Sequence, residues 1–116
     1  MAGTINVGFS VIANNDPFTD SYNPNQQSIV QNITTAPFQA VASGIATTGG
    51  TAVTIPVTTL GVTVIQNTDA TNYFTVNGFL KVKAGEQFVM RLVPGITVTI
   101  TANTASCGYV IRALND

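Results

Sequence analysis

The side chains able to do chemistry are few. One cysteine, five acids and four cations stand among 116 residues, and there is no histidine. A Ser–His or Cys–His nucleophile pair needs an imidazole base, so that chemistry is excluded. Zinc draws on His, Cys and carboxylates, and one Cys with five scattered acids does not assemble such a set. Paired carboxylates for glycoside cleavage would have to come from Asp16, Asp20, Asp69, Glu86 and Asp116. Asp16 and Asp20 are close in sequence, but Pro17 and the loop setting oppose a shared proton. Asn14, Asn15, Asp16 and Asp20 also offer oxygen ligands of the kind calcium takes, at a spacing that matches no EF-hand. Turn capping by the same side chains is the simpler account. No Walker or Rossmann glycine pattern occurs. No catalytic residue, cofactor or metal site is expected, and the chain reads as a non-enzyme.

Cys107 has no partner for an intrachain disulfide and is expected as a small buried hydrophobe in a strand. Asn32-Ile-Thr34 has the form of a glycosylation sequon. Met1-Ala-Gly-Thr4 carries no basic stretch ahead of an apolar one, so no secretory leader is expected and the sequon has no consequence. Tyr73, Phe74 and Tyr109 are candidates for a sugar-binding platform, although strand neighbours alternate faces, only one of Tyr73 and Phe74 can face out, and core packing is the favoured reading in a chain without Trp. Nucleic acid is disfavoured as a partner. Lys81, Lys83, Arg91 and Arg112 are the whole cation supply, a spot rather than a track along a phosphate backbone. No apolar run approaches the roughly 18–20 residues of a membrane helix, and no membrane partner is expected.

The elements that would position these residues are strands. Charged residues make up 8% of the chain against about 25% in an average soluble domain. Neutral polar residues take their place: 18 Thr, 11 Asn, 6 Gln and 5 Ser. β-branched residues abound and the usual helix formers are scarce, which favours sheet. Strands are expected at 52–57, with Pro56 confining that one to an edge or a strand end, and at 61–66 and 72–76. Asn77-Gly78 then signals a type I′ hairpin, with Phe79–Lys83 as its return strand. In 86–93, Phe88, Met90 and Leu92 alternate with Gln87, Val89 and Arg91. Pro94-Gly95 marks a turn. Ile96, Val98 and Ile100 are expected inward and Thr97, Thr99 and Thr101 outward, the cleanest alternation in the chain. In 108–114, Tyr109, Ile111 and Ala113 lie opposite Val110, Arg112 and Leu114.

The first 50 residues read differently. Residues 4–12 have strand character, 14–27 are a run of turn formers with two prolines, and 47–50 form a flexible joint. A structureless stretch near 25 residues is uncommon inside a compact domain. Phe18, Tyr22, Ile29, Val30, Ile33 and Phe38 dot this segment with apolar side chains and are the candidate contact residues of an arm ordered by a partner. The fold expected is all-β: an antiparallel β-sandwich or jelly-roll-like domain with an extended N-terminal arm. Residues 1–50 supply a strand and the arm, and 51–116 the sandwich module, its C-terminal hairpins forming a meander.

Four segments carry a resemblance. Val64-Ile-Gln-Asn-Thr-Asp-Ala-Thr-Asn-Tyr-Phe-Thr-Val76, Leu80-Lys-Val-Lys-Ala-Gly-Glu86, Phe88-Val-Met-Arg-Leu-Val-Pro-Gly95 and Thr101-Ala-Asn-Thr-Ala105 resemble small β-sandwich virion proteins of tailed bacteriophages. The type they look most like is the capsid decoration, or cement, protein. The resemblance covers residues 60–114. It implies a structural protein on the capsid surface of a virion, assembled in the host cytoplasm. Its implied partners are the major capsid protein and further copies of itself, with a homotrimer favoured. A tail or fibre subunit, and a carbohydrate-binding adhesin module, are the alternative readings.

Overall fold

The computed structural model describes residues 3–8, 11–15, 18–22, 29–33 and 39–115. Of residues 3–6, 11–15, 18–22 and 29–33 it describes the backbone alone. The described residues are all β. Eight strands build the sandwich: β5 (Gln39–Ala46), β6 (Thr51–Val53), β7 (Leu60–Asn67), β8 (Phe74–Val76), β9 (Leu80–Val82), β10 (Gln87–Arg91), β11 (Val98–Ala102) and β12 (Cys107–Asn115). One sheet runs β10-β7-β12-β5 and the other β6-β11-β8-β9, with every pairing antiparallel. That strand order is a jelly roll of two four-stranded sheets.

Alternation dictates which faces meet. In β11, Val98, Ile100 and Ala102 are buried while Thr99 and Thr101 are half-buried on the other face. In β12, Cys107, Tyr109, Ile111 and Ala113 point inward. They meet Phe74, Val76 and Val82 from the opposite sheet. Phe74, Ile65, Ile100 and Ile111 are fully buried, each contributing about 1.5–3 kcal/mol of apolar transfer. Cys107 lies in this core as a free thiol, as expected. Strand β6 ends three residues before Pro56 and lies at a sheet edge.

Several expectations are corrected. The C-terminal strands are not a meander: of their connections only β8–β9 is a hairpin within one sheet, and the others cross between sheets. Residues 47–50 are not a loose joint. The Thr47 carbonyl accepts the amides of Gly50 (3.2 Å) and Ala102 (2.9 Å), a turn that carries the chain from one sheet to the other. Ile96 is exposed rather than inward, because it precedes β11. The sandwich also takes eight residues from the first 50: β5 pairs with β12 from Gln39↔Leu114 to Ala46↔Cys107.

The N-terminal segment is a nested antiparallel ribbon. β1 (Gly3–Val7) pairs with β4 (Ile29–Ile33), and β2 (Val11–Asn15) pairs with β3 (Phe18–Tyr22). The run read as turn formers thus places Asn14, Asn15 and Asp20 in a ladder. β4 lies beside β7.

Candidate interaction surface

The sandwich has two chemically different ends. At one lie the connections 47–50, 68–73, 83–86 and 103–106, rich in exposed polar residues. Asn67, at the end of β7, is fully buried and is the hub. Its Nδ2 donates to the carbonyls of Asn72 (3.0 Å) and Val82 (2.9 Å), and its Oδ1 accepts the Asp69 amide (2.8 Å). Its backbone N–H donates to the Glu86 carbonyl (3.0 Å) and its carbonyl accepts the Gly85 amide (3.1 Å). One side chain and its own peptide groups therefore tie the β7–β8 and β9–β10 connections together. Asp69 Oδ2 accepts the amides of Asn72 (2.7 Å) and Thr71 (3.0 Å). These bonds, Asn72 first, hold its carboxyl below the usual aspartate value, since they favour the charged form.

The opposite end exposes large apolar side chains among threonines. It comprises the connections 54–59, 77–79 and 92–97, the start of β5 and the end of β12. Phe79 is 83% exposed, Val93 69% and Ile96 41%. Local geometry fixes these three. Asn77 and Gly78 both have positive φ (51° and 79°), as the hairpin signal required. The ladder, however, pairs Val76 with Leu80, which leaves Phe79 in the turn rather than in β9. The Asn77 side chain then clips this tip to β11: Nδ2 donates to the Thr97 carbonyl (3.1 Å), and Oδ1 accepts the Thr99 amide (2.7 Å). Pro94-Gly95 forms a type II turn, with Gly95 at φ 85° and the Ile96 amide donating to the Val93 carbonyl at 3.3 Å. Val93 and Ile96 therefore flank that turn. Beside them a cavity of about 180 Å³ is lined by Val53, Ile55, Val57, Thr58, Leu60, Gly95 and Ile96, with more polar than apolar surface exposed in it. Phe79, Val93 and Ile96 at this end can exclude water against an apolar partner.

The candidate residues of the sequence fall as follows. Phe18 and Tyr22 lie in β3, and Ile29, Val30 and Ile33 in β4, as backbone positions only; Phe38 lies outside the described residues. Asn14, Asn15 and Asp20 are likewise backbone positions of β2 and β3, while Asp16 and Asp116 lie outside the described residues. Among the described residues, no three acids or thiols come together as a metal site. Core packing holds for two of the three aromatic candidates: Phe74 (0% exposed) and Tyr109 (7%) are core. Tyr73 is half-buried, with the Lys81 ammonium 4.1 Å from its ring centroid, a cation–π contact over the face a sugar would use. The Cys107 thiol donates to the Tyr73 carbonyl at 3.5 Å, and burial first, then the Asp69 charge, pushes its pKa up.

Sequence reasoning did not foresee the joint exposure of Phe79, Val93 and Ile96 at one end. Strand parity placed Phe79 with the lysines and Ile96 in the core. The one-residue lengthening of the 77–79 turn, and the start of β11 at Val98 rather than Ile96, put them at one end. In comparisons with known proteins, the chain matches no family model, no curated protein and no solved structure.

Proposed function

We propose that the chain is a non-enzymatic virion structural protein that decorates and stabilises the outer surface of a bacteriophage capsid, with the major capsid protein as its partner. The observation that carries this reading is the division of the sandwich. One end has two of its connections tied together through Asn67 and is otherwise polar and exposed, and the other presents Phe79, Val93 and Ile96 to solvent. The chain also enters the sandwich at Gln39, on the apolar end, so the N-terminal ribbon and that end can engage one partner together. Fully burying an exposed side chain of this size contributes about 1.5–3 kcal/mol, and these three, already partly covered, contribute less than that each before the cost of association. Several copies held on one shell would multiply a modest affinity.

Two further points support the reading. Jelly rolls recur in viral capsid proteins, as they do in lectins and cupins, an analogy of fold that does not by itself decide function. The four segments within residues 60–114 also resemble capsid decoration proteins. Of the three residues named for the adhesin alternative, Phe74 and Tyr109 are in the core.

The test is occupancy. Capsids stripped of the protein are mixed with the full chain or with the F79S/V93S/I96S variant and imaged by electron cryo-microscopy. Density on the outer shell for the wild type, lost in the variant, is the expected result. Equal occupancy by the variant would remove the apolar end as the anchor. Density on the tail would favour the tail or fibre alternative.

A further inference from the structure

Four strands end the two sheets, and three of them are protected against pairing. β6 has three residues and stops before Pro56. β9 has three residues and carries an exposed lysine, Lys81, at its centre. β10 has five and ends in Arg91. Short length, proline and charge are the usual devices that keep a sheet edge from pairing with another chain. β5 has none of them. It is eight residues long, Gln-Ala-Val-Ala-Ser-Gly-Ile-Ala, with no charge and no proline, and one of its sides has no strand partner among the described residues.

Its side chains are also arranged in an unusual way. Ala40, Ala42 and Ala46 face inward, and the larger Val41 and Ile45 face out, 52% and 66% exposed. The pattern is symmetric about Ser43. Laid antiparallel on itself with Ser43 opposite Ser43, the strand sets Val41 against Ile45 twice, Ala42 against Gly44 and Ala40 against Ala46. A register shifted by one residue would put inward side chains opposite outward ones. A shift by two would set Val41 against Ser43. Only the register centred on Ser43 matches both exposed apolar residues with each other, and cross-strand apolar pairs are what stabilise a ladder.

We propose that β5 is a self-association edge: two copies of the chain pair β5 to β5 antiparallel about a two-fold axis at Ser43, joining two four-stranded sheets into one of eight strands. A second copy is the occupant because the strand is complementary to itself and carries no charge to repel its image. A single strand pair lies at the small end of stable interfaces, below about 1,200 Å² in total, so the dimer dissociates on dilution. The pairing is independent of what the apolar end binds, and on a shell it would join neighbouring copies.

Cysteine pairing in the full-length protein tests both contact and register, since the native thiol, Cys107, is buried and does not compete. Residues directly opposite in an antiparallel ladder have Cα atoms about 4.5–5.5 Å apart, within disulfide range. Under mild oxidation S43C should give a covalent dimer with itself. V41C alone should not, because its two copies lie four residues apart along the ladder, whereas a mixture of V41C and I45C should. Sedimentation of the wild type should show reversible mass doubling with concentration, reduced at least tenfold in affinity by V41K. S43C remaining monomeric, or V41C joining itself as readily as I45C, would overturn the proposal. Neither experiment contains capsid, so failure here leaves the attachment reading untouched.

Discussion

The phenol of Tyr109 lies against Gly44, its cross-strand partner in the β5–β12 ladder. A β-carbon on Gly44 would come within 2.9 Å of the Tyr109 hydroxyl oxygen and 3.2 Å of the ring carbon that bears it. Tyr109 is 7% exposed, so the ring has little room to withdraw. The glycine gives the aromatic ring its space, and the ring covers the backbone that the glycine leaves bare.

A sign reversal follows at Gly44. Alanine in place of a strand glycine ordinarily stabilises by about 0.5–1 kcal/mol, through the unfolded chain's lower entropy. Here Gly44→Ala should destabilise by about 1–2 kcal/mol, because the added methyl overpacks the ring. Adding Tyr109→Phe removes the nearest of the opposing atoms and should recover part of that loss, giving a non-additive double-mutant cycle in urea. Equal losses in the two backgrounds would mean that the hydroxyl contact is not the cause.

Asn67 should be among the costliest polar positions to change. Asn67→Ala leaves the buried Val82 carbonyl, the Asn72 carbonyl and the Asp69 amide without their partner. Unsatisfied buried groups of this kind cost about 1–3 kcal/mol each where water cannot reach them. Loss of roughly 2–4 kcal/mol in chemical denaturation is expected. Asn67→Asp places a carboxylate oxygen before two carbonyls and should be worse at pH 7 than at pH 4, where the acid can donate. A loss under about 1 kcal/mol for Asn67→Ala would show that water replaces the amide.

Where local pattern and tertiary role agreed, the sequence was readable. The Thr alternation of β11, the inward set of β12, the paired positive φ of Asn77-Gly78 and the burial of Cys107 all follow from period or turn chemistry. β5 was missed because its pattern is inverted: alanines fill the inner face and Val41 and Ile45 the outer one, so hydrophobicity points the wrong way. The jelly-roll order was not legible because a four-residue connection such as 47–50 can close a hairpin or cross between sheets with the same residues. The apolar end was hidden for a related reason. Phe79, Val93 and Ile96 are 14 and 3 residues apart in sequence and share an end only because Asn77 ties its turn to β11.

Asp69 gives the polar end a defined acid limit. Its carboxylate accepts the Asn72 and Thr71 amides, and those bonds lower its pKa in the folded chain. A carboxyl whose folded value lies below its unfolded value binds fewer protons when folded. Its contribution to stability is therefore complete above the ordinary aspartate value, about 3.9, and is lost as pH falls through the folded value. Asp69→Ala should lower the melting temperature at pH 7, and the gap to the wild type should narrow only below about pH 4. The same substitution removes the negative charge that helps keep the Cys107 thiol protonated, so its pKa should move down while burial still holds it above the ordinary value. Melting curves between pH 7 and pH 2, with thiol titration in the alkaline range, measure both. A gap that stays constant down to pH 2 would mean that the 68–73 loop is held by Asn67 and the backbone without the charge on Asp69.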